Sequence, residues 1–303
     1  MSDLFNVFFQ NILPIFTVAA MGFALRLGLG VDKRALSNLS FYVLSPALVF
    51  SSLVTTRLGG DELIQLATFA IIMTLSMGLI AFGAGKLLRL PRIDISALIL
   101  VVMIANTGNY GLTFNELRFG SEGLARAIVY WVVSTMLVFT LGVFVASMGR
   151  ANSRESLKRL VKLPAFYAVI LSIVVYAFSI SIPDPLMRGI ELAGSGAIPV
   201  MLIVLGMQIA DIRGLGRVWL AVPASILRLL VAPLVAVLIA SFLGLQGLSR
   251  STAIIEASMP TAVITTIMAT EFMVRPALVT STVVLTTLLS AITLPLVIIL
   301  LGL

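Results

Sequence analysis

The sequence predicts an all-α polytopic membrane protein of ten transmembrane helices, arranged as two inverted five-helix repeats. Three observations predict it. Of the 303 residues, 60% are hydrophobic and 11% charged, against roughly 25% charged in a soluble chain. Apolar runs approaching the ~20 residues that a spanning helix needs recur along the whole length. The order of features in the first half also returns in the second, with Pro46 meeting Pro199 and Glu116 meeting Glu271. A β-barrel would instead show ~10-residue alternating segments, and none are visible.

Breaks at Gly, Pro and charged clusters delimit the elements. They place helices near 5–27, 36–54, 62–88, 95–119, 122–147, 164–182, 187–210, 216–244, 250–272 and 276–301. The first lies in the apolar run Leu4–Leu29, expected to be a retained helix rather than a cleaved signal. The second holds Pro46 in "FYVLSPALVFSSL", and the seventh holds its counterpart Pro199 in "GSGAIPVMLIVLG". The fourth contains "ANTGNYGLTFNE"; the ninth contains "EASMPTAVITTIMATE". The eighth carries an arginine, Arg228, well inside the span. Residues 1–148 form the first repeat and 164–303 the second, joined by "GRANSRESLKRLVKL" at 149–163, the longest polar connection. Five spans is an odd number, so the second repeat lies upside down relative to the first.

Charge sets the orientation. Fourteen of the twenty Lys and Arg fall on one side of the ten-span arrangement and five on the other, with Arg228 between. Positive loops stay cytoplasmic, so the 149–163 loop is expected in the cytoplasm and both termini outside. The net charge of +7 reflects these loops, not nucleic-acid binding. Cys and His are absent, which removes disulfides, zinc clusters and the usual proton relay. With no Asp placed mid-span either, a membrane enzyme is a poor reading. A carrier remains, and so does a channel or a sensor.

The fourth and ninth helices carry the argument for a site. In hydrocarbon an unsatisfied backbone amide costs several kcal/mol, so a broken helix persists only inside protein or beside a wet cavity. Gly108 and Gly111 weaken the fourth helix, and Asn106, Thr107 and Asn109 supply polar groups there. Pro260 removes a donor in the ninth, where Thr261, Thr265 and Thr266 can satisfy what it frees. Two breaks at matched places in opposed repeats predict that these helices cross near the bilayer midplane, as in secondary transporters. Each restarting helix would aim its positive N-terminus at the crossing and favour an anion. Gln208, near the end of the seventh helix, would line the pathway from the other side or else cap that helix. Met201, Met207 and Met259 are read as packing.

Ionisable residues within a membrane are functional candidates. Arg228 and Glu256 are expected to pair, or else Glu256 titrates and couples protons. Glu116 and Glu271 end the second half-helices at matched positions and are read as solvated ends or further coupling groups. Sodium sites need several oxygens from unwound carbonyls and amides; Asn106, Asn109, Thr265 and Glu256 are the candidates. No cofactor is expected beyond Na⁺ or H⁺.

At these same residues the chain resembles the auxin efflux carrier family. "ANTGNYGLTFNELRFG" looks like the family's fourth span, "PVMLIVLGMQIA" its seventh, and the segment from Arg228 through "STVV" its eighth to tenth in order and spacing. The resemblance implies an elevator in the cell membrane, built as a homodimer and carrying small organic anions of the auxin or carboxylate kind. A scaffold of about 1–54 and 164–210 would support a transport domain of about 62–147 and 216–303. Asn106 matches the asparagine beside the substrate carboxylate, and Pro260 the crossover proline. The family's fourth-span prolines are Ala105 and Thr113 here, and Ile264 stands where bacterial members often have Asn.

Overall fold

The computed structural model describes residues 2–56, 58–147, 164–211 and 218–303. The linker expected at 149–163 lies outside them. Among the described residues every regular element is helical, and the single β contact is an isolated bridge between Ala105 and Thr261. We number the helices α1 (Phe5–Leu29), α2 (Lys33–Thr56), α3 (Gly60–Leu87), α4 (Arg92–Met103), α5 (Thr107–Ala146), α6 (Pro164–Ala177), α7 (Asp184–Ala210), α8 (Trp219–Phe242), α9 (Gly247–Ala257), α10 (Ile264–Glu271) and α11 (Pro276–Leu301). Seven of them, α1, α2, α3, α5, α7, α8 and α11, are long and apolar enough to cross a membrane. Helix occupies each of the ten stretches expected from the sequence. The fourth stretch is α4 and the start of α5, and the ninth is α9 and α10.

Local sequence explains the ends. Gly30 closes α1 in the left-handed conformation, and the Asp32 carboxylate caps α2 by accepting the Arg34 N–H at 2.9 Å. Asp61 and Glu62 open α3 and Lys86 closes it, each complementing the helix dipole. Gly120, at φ 65° and ψ −159°, kinks α5 in a conformation that only glycine adopts readily. That kink takes the place of the loop expected between the fourth and fifth stretches. Large side chains cover the outside: Leu79, Leu238, Phe242 and Leu300 are 69–85% exposed, a surface suited to lipid rather than water.

Two sets of helices pack among themselves. α1 lies along α7, while α2 packs on α6 and on the first half of α7. The α1–α7 contact is backbone against backbone. A Cβ built on Gly206 would stand 1.7 Å from the Ala19 carbonyl oxygen, and one on Gly22 would stand 2.1 Å from that of Ile203. The largest apolar core joins α3, α4, the later part of α5, α8, α9 and α11 around Phe69, Met73, Leu100 and Ile254. Arg126 of α5 braces this second set, bonding Glu62 of α3 and Glu122 of its own helix, each at 2.7 Å.

Candidate functional site

The chain is interrupted twice, and the interruptions meet. After Met103 the backbone leaves the helix at Ile104, with φ −100° and ψ 103°. It resumes at Thr107 as a π-helical turn that runs into the α-helix at Thr113. Between α9 and α10 the chain is likewise non-helical around Pro260. The Asn106 N–H donates to the Pro260 carbonyl at 2.7 Å, and the Ala262 N–H donates to the Ile104 carbonyl at 3.0 Å. Backbone groups freed by one break thus satisfy those freed by the other, as burial demands. The Thr261 hydroxyl adds a 2.7 Å bond to the Val101 carbonyl, and its N–H donates to Thr286 Oγ1 at 3.2 Å.

Arg228 holds the crossing from behind, and here the structure corrects the sequence reading. It does not pair with Glu256. Its guanidinium is 1% exposed and donates to the carbonyls of Met259 and Val102, each at 2.9 Å, and of Ala257. These carbonyls lie at or near the C-terminal ends of α4 and α9. Each helix end carries roughly half a negative charge, so two together match one guanidinium.

Glu256 lies elsewhere. Its Oε1 accepts from Asn115 Nδ2 at 2.9 Å, and the same amide nitrogen donates to the Gly111 carbonyl at 3.0 Å. The carboxylate rests directly over Gly111, where a Cβ would stand 2.3 Å from Oε2. Gly111 therefore weakens the helix less than it makes room for a carboxylate. Glu256 Oε2 and Asn115 Oδ1 are buried without a hydrogen-bond partner.

In front of the crossing lies a cavity of about 330 Å³. Ile104 to Asn109 form one wall, the start of α2 and the end of α7 the opposite one, and Trp131 and Phe139 of α5 a third. No charged side chain is among its lining residues. The electrostatics come from the backbone. The first hydrogen bond of the restarting helix runs from the Gly111 N–H to the Asn106 carbonyl at 3.0 Å. The N–H groups of Thr107, Gly108 and Asn109 therefore lack an acceptor in their own helix. Asn106 is 5% exposed, and its Nδ2 has no partner. Arg228 neutralises the negative helix ends, while the positive end of α5 is left facing the cavity.

A second cavity, of about 420 Å³, shares Gln208, Val263 and Ile267 with the first and reaches Lys33, Asp211 and Glu271. Asp211 accepts from Arg26 Nε at 2.7 Å and pairs with Lys33 at 2.5 Å. Burial alone would raise its pKa, but hydrogen bonds from Lys33 and Arg26 outweigh that and hold it below the ordinary value.

The residues singled out by sequence separate into groups. Asn106, Thr107, Gly108, Asn109 and Gln208 line the first cavity. Pro260, Thr261 and Thr265 do not. The Thr265 hydroxyl donates to the Ala262 carbonyl at 2.7 Å, and both threonines are fully buried. The ninth stretch instead presents Ala262, Val263, Ile264 and Ile267. Glu116 is exposed on α5, and Glu271 borders the second cavity. Asn115 and Trp131 were missed. A polar residue one helical turn after Gly111 was the available signal for Asn115. For Trp131 there was none, because its place depends on the Gly120 kink. Among the described residues, three of the five π-helical turns, Ser40–Leu44, Thr107–Leu112 and Val138–Gly142, contribute to the first cavity, and a fourth carries Arg228. Such turns concentrate at functional sites.

Buried polar breaks facing a cavity within an apolar helical body are the arrangement expected of a membrane transport protein. The model of the membrane transport protein family, which takes in the auxin efflux carriers, matches residues 7–298, and the chain belongs to that family. It is 30% identical over 294 residues to an uncharacterized transporter of Methanothermobacter thermautotrophicus, covering 95% of this chain and 96% of that one. It is 27% identical over 262 residues to an uncharacterized transporter of Methanocaldococcus jannaschii, covering 84% and 85%.

Proposed function

We propose that this membrane transport protein is a secondary carrier of small organic anions, bound at the crossing of the two interrupted helices. One observation carries the reading: a buried, unpartnered Asn106 amide at the start of a helix whose first N–H groups have no acceptor in that helix, with no carboxylate among the cavity's lining residues. Such a site suits a carboxylate, which would accept from several donors at once.

The mechanism in this reading is an elevator of ten spans in two inverted repeats. α1, α2, α6 and α7 serve as the scaffold and the homodimer surface, and the remaining helices move with the crossing. The largest apolar core, whose buried residues all lie outside α1, α2, α6 and α7, supports this division, while two smaller cores join the sets. With basic loops inside and both termini outside the cell membrane, the two cavities, which share three lining residues, lie toward the cytoplasmic side, and the molecule is in its inward-facing state. Glu256, with one carboxylate oxygen unpartnered beside Asn115, is the seat of the coupling ion, H⁺ or Na⁺.

Purified protein in liposomes tests the carrier reading. Saturable uptake of a labelled carboxylate, with counterflow from preloaded vesicles, is the expected result. A linear, unsaturable flux would mark a channel instead. Imposed Na⁺ and pH gradients, with Glu256→Gln alongside, separate the two coupling ions from uniport.

A further inference from the structure

α3 carries an apolar stripe that ends in charge. Ile71, Leu75, Leu79 and Phe82 follow one another at helical spacing on one face, and each is 41–70% exposed. From Ile71 to Phe82 the helix rises ~16 Å, about one leaflet of a hydrocarbon core ~30 Å thick. Lys86 continues the same face one turn further on, with its Nζ 5.6 Å from the centre of the Phe82 ring. Its stem lies along the stripe and its ammonium stands at the end of it, as lysines do at a membrane interface.

The turn into α4 adds Arg89 and Arg92, and all three cations are exposed. Among the described residues none of the three has a carboxylate partner, whereas Arg26, Lys33, Arg126 and Arg275 each have one. Asp94, the acidic residue nearest the turn in sequence, is 2% exposed and bonded to Arg275. Leu87 and Leu88, set between the cations, are 84% and 51% exposed.

Arg89 is the least expected of the three. It closes α3 with φ 52°, the left-handed conformation that glycine usually supplies at a helix end, and the Leu90 N–H then donates to the Gly85 carbonyl at 3.0 Å. A side chain in that conformation is strained. Among the described residues the fold makes no use of its guanidinium. A basic residue at a membrane interface is commonplace. Three without acidic partners, at the end of a stripe one leaflet long, complement a phospholipid in both charge and shape.

We propose that α3 and the α3–α4 turn form a site for an anionic phospholipid. Its phosphate lies on Lys86, Arg89 and Arg92, and an acyl chain runs along Phe82, Leu79 and Leu75. The site lies outside both cavities and does not rest on the carrier reading. α3 shares the largest apolar core with α4 and α9, so a lipid held there is attached to the body that carries the crossing.

Phosphatidylglycerol, phosphatidylcholine and inorganic phosphate, titrated into the purified full-length protein in uncharged detergent and read by thermal unfolding, test this. Phosphatidylglycerol is expected to raise the melting temperature saturably. Half its effect should come at a mole fraction at least tenfold below that for phosphatidylcholine, since each cation near an anionic surface contributes about fivefold. Added salt should erode this preference, and inorganic phosphate should not reproduce the shift. Lys86→Gln/Arg89→Gln/Arg92→Gln is expected to lose the preference and keep the response to phosphatidylcholine. Arg34→Gln/Arg188→Gln, which removes two exposed cations elsewhere, should keep the preference. Arg89→Gly separates binding from folding and serves even where the triple variant does not fold: it should raise the melting temperature without lipid and lower the preference about fivefold. Equal responses to the two lipids, a preference that survives the triple variant or Arg89→Gly, an equal loss in Arg34→Gln/Arg188→Gln, or a shift reproduced by phosphate alone would overturn the proposal.

Discussion

The break between α4 and α5 and the break between α9 and α10 solve one problem with different chemistry. Both interrupt a buried helix, and each supplies the backbone partners that the other lacks. The first is built on small and amide residues, Ala105 to Gly111, and its residues up to Asn109 line the cavity. The second is built on Pro260 and threonines, and turns its hydroxyls inward onto carbonyls. Where other family members are expected to have a second fourth-span proline, Thr113 bonds the Asn109 carbonyl at 3.2 Å. On the proposed reading, the fourth-stretch break recognises and the ninth-stretch break supports.

The largest effect should come from the group common to both breaks. Arg228→Met leaves three buried carbonyls without their donor, and is expected to cost about 3–5 kcal/mol of stability, the scale of breaking a buried charge interaction. Loss of monodisperse, foldable protein is the readout. A stable variant would mean that the crossing does not need its cation. Asn106→Ala should come next. It removes one charge-assisted hydrogen bond, worth about 1.5–3 kcal/mol, so substrate affinity falls roughly 10- to 100-fold while the melting temperature holds. Thr265→Val is its counterpart across the crossing, and should leave affinity unchanged while lowering stability by about 1 kcal/mol. If the two variants behaved alike, the division between recognition and support would fail.

Gly111→Ala places a methyl group into the Glu256 carboxylate, and an overpacking cost of about 1–3 kcal/mol is expected. Glu256→Ala in the same chain should recover part of it, which thermal unfolding of the double variant checks. The smallest effect lies at the second cavity. Because Asp211 is held below its ordinary value near 3.8, its ion pairs stabilise the fold above that pH and are lost as the pH falls through the depressed value. The stability difference between the unmodified protein and Asp211→Asn should therefore be flat above pH 4 and shrink in stronger acid. A gap that widened on acidification would contradict the pairing.

The helical stretches and both interruptions were legible in the sequence because glycine, proline and asparagine carry strong local rules within an apolar run. Residues 104–109 were found for that reason. Arg228 was legible as a buried charge but not as to partner. Sequence offers a carboxylate one helix away, whereas the carbonyls that hold the guanidinium have no letter of their own. Thr261 and Thr265 misled for a related cause: a threonine hydroxyl can reach a backbone carbonyl or a ligand, and only the fold decides which. Trp131 and the π-helical turns could not be read, since one added residue per turn leaves no periodic mark in so apolar a chain.

At the α1–α7 contact, Gly22 and Gly206 leave no side chain between the two backbones. With nothing there to change rotamer, the pair has no second way to interlock, and sliding one past the other would drive carbonyl oxygen into α-carbon. On the elevator reading proposed above, these two helices are the rail and not the carriage.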